Sequence, residues 1–157
     1  MKTLLILSTI LFLNFSQKRE INTEKIKWIS WNSLDYKMKN SPKKIYVFIY
    51  THNCRWCKKM EISIFKNHEI IEKLNKDYYC VKLYSSTKKA IKFNGKIYKN
   101  IYSTNKNKRK IHGLVEYLLD GYYRFPTSLI LSENYKILSE KRGSSNIENF
   151  KKMINYF

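Results

Sequence analysis

Two cysteines lie two residues apart in the chain, as Cys54-Arg55-Trp56-Cys57. They directly follow an apolar run, Ile45 to Tyr50, and directly precede a stretch with helical spacing. A cysteine at a helix N-terminus faces unpaired backbone N–H groups and the positive end of the helix dipole, which favour the reactive thiolate. On the first helical turn the second sulfur can reach the first and close a disulfide. The spacing therefore predicts a pair that alternates between dithiol and disulfide.

The elements around this pair follow an α/β order. The run from Ile45 to Tyr50 is rich in β-branched and aromatic residues, which is typical of a central buried strand. We expect a helix from Cys57 to Asn75, broken near Asn67-His68, and a second strand from Tyr78 to Tyr84. Two strands joined through a helix are expected to be parallel.

Further elements are predicted on both sides of this unit. Before it, Trp31, Leu34 and Met38 have the spacing of an amphipathic helix within Trp28 to Asn40, capped near Ser30 or Asn32. After it, we expect an insertion at 85–111 that contains a small hairpin, then a helix, an antiparallel strand pair and a last helix. Their predicted ranges are Ile91–Phe93 and Ile97–Tyr98 for the hairpin, then His112–Asp120, Ser128–Leu131, Ile137–Lys141 and Asn146–Phe157.

Composition sets the class of protein. The 157 residues suffice for one domain, and 43% hydrophobic content can fill its core. The third cysteine, Cys80, lies in an apolar run and is expected to be a small buried hydrophobe. The net charge of +19 comes mainly from scattered lysines, with one dense cluster (Lys106, Lys108, Arg109, Lys110) that we interpret as a solvated loop. We therefore expect no nucleic-acid binding.

The N-terminus is typical of an export signal. Lys2 precedes an apolar segment, Leu4 to Phe15, of about twelve residues, whereas a membrane span needs roughly twenty. We predict a signal peptide at residues 1–16, a loose segment at 17–27 and the folded domain at 28–157. The mature protein would then be periplasmic or secreted, with no stable membrane span, in an oxidising compartment.

Taken together, the order of elements resembles that of the thioredoxin-fold thiol-disulfide oxidoreductases. The likeness covers about residue 28 to the C-terminus and includes Pro126 ahead of the final hairpin. The segment from Thr51 to Met60 is similar to the motif of exported bacterial members, which often carry Trp before the second cysteine. The resemblance implies an α/β three-layer sandwich with a mixed central sheet of about four to five strands flanked by helices.

The resemblance also implies roles for individual residues. Cys54 corresponds to the nucleophile that attacks a client disulfide, and Cys57 to the thiol that resolves the mixed disulfide. Pro126 matches the family's cis-proline, and Phe125 before it would offer backbone hydrogen bonds to an extended client. Trp56 is near enough in sequence to touch a client, and Lys82 falls where several members keep a lysine near the buried thiol. The residues expected to support the cysteine pair are thus Phe125, Pro126, Trp56 and Lys82.

The partners implied are protein clients with thiols or disulfides and a redox partner protein, and we expect a monomer. The chemistry needs no bound cofactor beyond the dithiol, and the chain offers no second pair of metal ligands. The alternative from another class is a non-catalytic binding module of the same fold that handles Cu(I) or docks a partner. The direction of electron flow is left open.

One departure from the family matters for the chemistry. Many thioredoxins have a buried acid six residues before the nucleophile, whereas this chain has Phe48. Water, neutral Lys82 or His52 would then have to take the proton from Cys57, and the sequence does not select among them. Cationic neighbours of Cys54 (Arg55, Lys58, Lys59 and, when protonated, His52) should stabilise its thiolate and raise the reduction potential.

Overall fold

The computed structural model describes residues 25–100 and 111–157. The predicted signal peptide, residues 17–24 of the loose segment and the dense basic cluster lie outside these ranges. The described helices are α1 (Trp31–Asn40), α2 (Arg55–Ile62), α3 (His68–Asp77), α4 (Gly113–Leu119) and α5 (Ile147–Asn155), with a short 3₁₀ turn at Ile64–Lys66. The strands are β1 (Lys44–Tyr50), β2 (Tyr78–Tyr84), β3 (Ile91–Phe93), β4 (Lys96–Tyr98), β5 (Thr127–Leu131) and β6 (Ile137–Arg142).

Four strands form one mixed sheet in the order β2-β1-β5-β6. Strand β2 is parallel to β1 and β6 is antiparallel to β5, as the sequence predicts. Strand β5 is also antiparallel to β1. Trp28 adds a single parallel bridge to Cys80 on β2. The hairpin of β3 and β4 forms a separate two-stranded sheet, also as predicted.

The sheet carries a hydrophobic core on each face, so the architecture is the predicted three-layer sandwich. Alternate residues of β1 divide between the two cores: Ile45, Val47 and Ile49 join one, and Tyr46 and Phe48 join the other. The first core is completed by α1, α4 and the β3–β4 hairpin, and the second by α2, α3 and α5. Because β1 is buried on both faces, it is the continuous apolar run that the sequence shows.

Side-chain caps explain where the helices begin. The Ser30 hydroxyl accepts a hydrogen bond from the Ser33 amide at the start of α1. Asn67 accepts from the Ile70 amide, which starts α3 and separates it from α2 close to the predicted break. The His112 side chain accepts from the Leu114 amide and so caps α4.

Among the described residues, none of the helices has the length and apolar character needed to cross a membrane.

Candidate redox-active site

The two cysteines are positioned by the end of β1 and the start of α2. After Tyr50 the chain turns through Asn53, whose φ of +52° lies in the left-handed region that Asn tolerates. Cys54 is the N-cap of α2, and its Sγ accepts a hydrogen bond of 3.1 Å from the Cys57 amide. A buried strand and a capped helix thus hold both cysteines on one helical turn.

Cys54 and Cys57 form a disulfide in this structure, with their sulfurs 2.06 Å apart. Cys57 is buried at 4% exposure, whereas Cys54 is only partly buried. Cys54 is therefore the cysteine of the pair that is partly open to solvent, whereas Cys57 faces the interior of the molecule.

Positive charge surrounds the start of α2. Its first turn contains no acidic residue, and Arg55, Lys58 and Lys59 are all exposed. The Arg55 guanidinium and the Lys59 ammonium lie 5.7 and 5.2 Å from the ring centroid of Trp56, which is 47% exposed. These cations and the helix dipole favour the thiolate of Cys54 when the disulfide is reduced.

A groove lies beside this helix start. Its volume is about 410 Å³, and its lining residues are Thr51, His52, Tyr84, Ser85, Ser86, Ile111 and Phe125. The Phe125–Pro126 peptide bond is cis, and Phe125 packs against both cores. The hydroxyl of Ser85 is buried and has no hydrogen-bond partner in the described part of the chain. The groove thus joins the segment before Cys54 to the segment before β5.

Lys82 lies on β2, and its ammonium forms an ion pair with the carboxylate of Glu61. Its Nζ is 2.5 Å from Oε1 of Glu61, one helical turn after Cys57 on α2. The same nitrogen lies 5.0 Å from the ring centroid of Trp28 and 6.0 Å from that of Phe48. Phe48 itself is fully buried, in the same core as Cys57. Sequence reasoning missed Glu61, although its spacing of four residues from Cys57 placed it on the same helical face.

Cys57 belongs to the second core, and Cys54 and Phe125 pack against that core. Trp56 is exposed on the surface of α2. Lys82 lies on β2 and contacts α2 through Glu61. Cys80, by contrast, is buried at 1% exposure in β2, and burial raises its pKa to about 12. Cys80 is thus an inert thiol, in agreement with the sequence analysis.

Among curated proteins, none matches the chain. Solved structures with a similar fold include a thioredoxin from Thermus thermophilus, at 11% identity over 85% of this chain and 87% of that one, with a TM-score of 0.60. The DsbH oxidoreductase matches at 17% identity over 92% and 94% of the two chains, with a TM-score of 0.59. The oxidised C-terminal domain of DsbD from Neisseria meningitidis matches at 13% identity over 82% and 97%, with a TM-score of 0.51.

The family model for the thioredoxin-like domain matches residues 33–157. That range contains α2 with its cysteine pair, the cis-proline and every strand of the main sheet. Since the match spans most of the chain, this protein belongs to the thioredoxin-like domain family, and with its Cys-x-x-Cys pair it is a thiol-disulfide oxidoreductase of that fold.

Proposed function

We propose that this protein exchanges disulfides with exported protein clients, with Cys54 as the attacking thiol and Cys57 as the resolving thiol. The observation that carries this assignment is the difference in burial, because Cys57 is 4% exposed and Cys54 is partly open to solvent. A client disulfide can approach only Cys54. The reaction then passes through a mixed disulfide between Cys54 and the client, which Cys57 breaks from within.

The groove beside α2 is the proposed client site. It is lined by Phe125, next to the cis-proline, and by Thr51 and His52, just before Cys54. The partners are therefore extended segments of thiol- or disulfide-bearing proteins, and the exposed Trp56 on α2 is available to contact them.

Export is part of the same proposal, together with signal cleavage after residue 16 and a monomeric mature protein. The charge pattern supports a direction of electron flow as well. Because three cations and no acid flank the nucleophile, the reduced form is stabilised. We expect a reduction potential above the roughly −270 mV of thioredoxin, toward the ~−180 to −120 mV of protein disulfide isomerase and DsbA.

Trapping the mixed disulfide tests the assignment of the two cysteines. In the Cys57→Ser variant, Cys54 should accumulate a covalent adduct with a disulfide-containing client such as oxidised ribonuclease, visible on non-reducing gels. Cys54→Ser is the matched control and should trap none. Equal trapping by both variants would contradict the assignment of the attacking and resolving thiols. Equilibration of the wild-type protein with glutathione buffers, read by thiol labelling, gives the potential, and the absence of a reversible two-electron transition would leave a non-catalytic binding module.

A further inference from the structure

A second cleft lies between β2 and the segment before α1, next to the groove that is proposed to hold the client. Its volume is about 400 Å³, which is within the range of about 300–1,000 Å³ that ligand sites occupy. We term it the aromatic cleft, because its lining includes four partly buried aromatic side chains: Trp28, Trp31, Tyr50 and Tyr84. Walls of this kind favour a flat apolar group as the ligand.

The walls of the aromatic cleft are held in place by hydrogen bonds. The Trp31 indole Nε1 donates to the Lys82 carbonyl at 3.0 Å, so this ring is fixed against β2. The loop that follows β2 forms the other wall. In that loop, the Lys89 carbonyl lies 3.0 Å from Nε2 of the buried His112. The cleft is therefore formed before a ligand arrives, which lowers the entropic cost of binding.

The charge at the aromatic cleft is positive. Of the described residues that line it, two are lysines and none is acidic. Lys82 is paired with Glu61 at 2.5 Å, and its ammonium lies 5.0 Å from the ring centroid of Trp28. Lys89 is exposed and has no ion-pair partner within residues 25–100 and 111–157. Lys89 is therefore the cation that remains for a ligand, and it favours a carboxylate next to the aromatic group.

The aromatic cleft and the client groove share a wall, because Tyr84 lines both. Tyr84 pairs with Tyr50 at the end of β1. Thr127, at the start of β5, pairs with Ile49 of the same strand, so the three strand ends lie side by side. Adjacent strands are roughly 4.8 Å apart, and the cleft lies beyond β2. The path from Phe125 to the cleft is then roughly 10–15 Å, or about three to five residues of extended chain.

We propose that the aromatic cleft receives an aromatic side chain of the client, about three to five residues from the client cysteine, next to an acidic residue that pairs with Lys89. The inference rests on the function proposed above and adds the class of client that the site prefers. Such a client is an extended protein segment that carries a cysteine, an aromatic residue and a carboxylate at this spacing.

Exchange with synthetic peptides tests this preference. Each peptide contains one cysteine, as a mixed disulfide with thionitrobenzoate, and either Trp-Asp or Ala-Ala about four residues away on one side or the other. The Cys54 thiolate of the reduced protein bonds to the peptide sulfur, and the thionitrobenzoate anion leaves and is followed by its absorbance. On one of the two sides, the Trp-Asp peptide should react about tenfold faster than the Ala-Ala peptide, because burial of an aromatic side chain is worth at least that factor.

Two variants locate the effect. Ala90 is exposed and lines the cleft, so Ala90→Trp should fill the cleft and abolish the advantage of the Trp-Asp peptide. Lys89→Glu should reduce that advantage by about threefold to fivefold, because it replaces an attraction with a repulsion. Lys136→Glu is the matched control and should keep the full advantage. It makes the same charge change on an exposed residue at the turn between β5 and β6, at the opposite end of the sheet.

The outcomes separate the inference from the proposed function. Equal rates for the two kinds of peptide in the wild type overturn the inference and leave the proposed function in place. An advantage that survives Ala90→Trp overturns it too, since the aromatic residue would then bind elsewhere, for example on the exposed Trp56. A wild-type dimer that Ala90→Trp dissociates would assign the cleft to a second copy of the chain. Release of thionitrobenzoate that is equally fast with Cys54→Ser would instead overturn the proposed function.

Discussion

The hydrogen bond between Tyr46 and Ser128 joins the two strands that carry the site. Their hydroxyl oxygens are 2.9 Å apart, and both side chains are almost fully buried. Burial raises the pKa of Tyr46 well above its ordinary value, so the phenol stays protonated and paired at every working pH. Strand β1 leads into Cys54, and β5 follows Pro126. The bond therefore ties the strand that leads to the cysteine pair to the strand that follows the cis-proline.

Removal of both partners should cost less than the sum of the two single removals. Tyr46→Phe keeps the ring, whose centroid lies 6.0 Å from that of Trp28 and 5.6 Å from that of Phe150, so the change isolates the hydroxyl. A buried polar group left unpaired costs about 1–3 kcal/mol, and we expect each of Tyr46→Phe and Ser128→Ala to lower the free energy of unfolding by about 1.5 kcal/mol. The double variant leaves neither group unpaired, so it should cost about 1–2 kcal/mol less than the sum.

Urea unfolding of the oxidised wild type and the three variants gives these free energies. With a urea m-value of about 1–3 kcal/mol/M, each single variant should lower the midpoint by about 0.5–1.5 M with the slope unchanged. The reasoning is refuted if the double variant equals the sum of the singles within about 0.5 kcal/mol, since the two hydroxyls would then be independent. A change of slope would show that the denatured state had changed instead.

Three further outcomes follow from the structure. Burial lowers the pKa of His112, so the unfolded chain binds the extra proton more readily than the folded one. The free energy of unfolding should therefore fall as pH drops through about 6.5. Urea unfolding above and below that pH should show a smaller fall in stability for His112→Asn than for the wild type. Asn67→Ala should cost about 1 kcal/mol of stability through loss of the α3 cap, whereas Asn155→Ala, at the last turn of α5, should cost less in the same unfolding assay. Cys80 should resist iodoacetamide in the folded protein and react once it is unfolded, as followed by mass spectrometry; labelling of native protein at Cys80 would contradict its assignment as an inert buried thiol.

The elements that position the site were predictable because each depends on a local pattern. The continuous apolar run of β1 indicates a strand that is buried on both faces. The helical spacing after Cys57 indicates a helix with one buried side. Asn67 appears in the sequence as a break because its side chain caps the next helix. The place of the cysteine pair between strand and helix follows from these signals alone.

The partner of Lys82 was not predictable in the same way. Its contact with Glu61 joins residues 21 apart and depends on how closely α2 packs on β2, which no local pattern records. The single bridge of Trp28 to Cys80 is likewise too short to give an alternating pattern. His112 was recognised as a helix cap, but its second bond, from Nε2 to the Lys89 carbonyl, spans the insertion and appears only in three dimensions.

The hydrogen bond from the Cys57 amide to Sγ of Cys54 has a consequence for the speed of exchange. In the oxidised protein, the disulfide ring and this hydrogen bond both stabilise the first turn of α2. When electrons enter, the ring opens, but the amide still faces a sulfur atom that can now carry negative charge, and such a bond is stronger than a neutral one. We therefore expect the start of α2 to keep its cap in the reduced form as well. Electron transfer would then need no rearrangement of the helix start, and the two forms would differ mainly in the chemistry of the sulfur atoms.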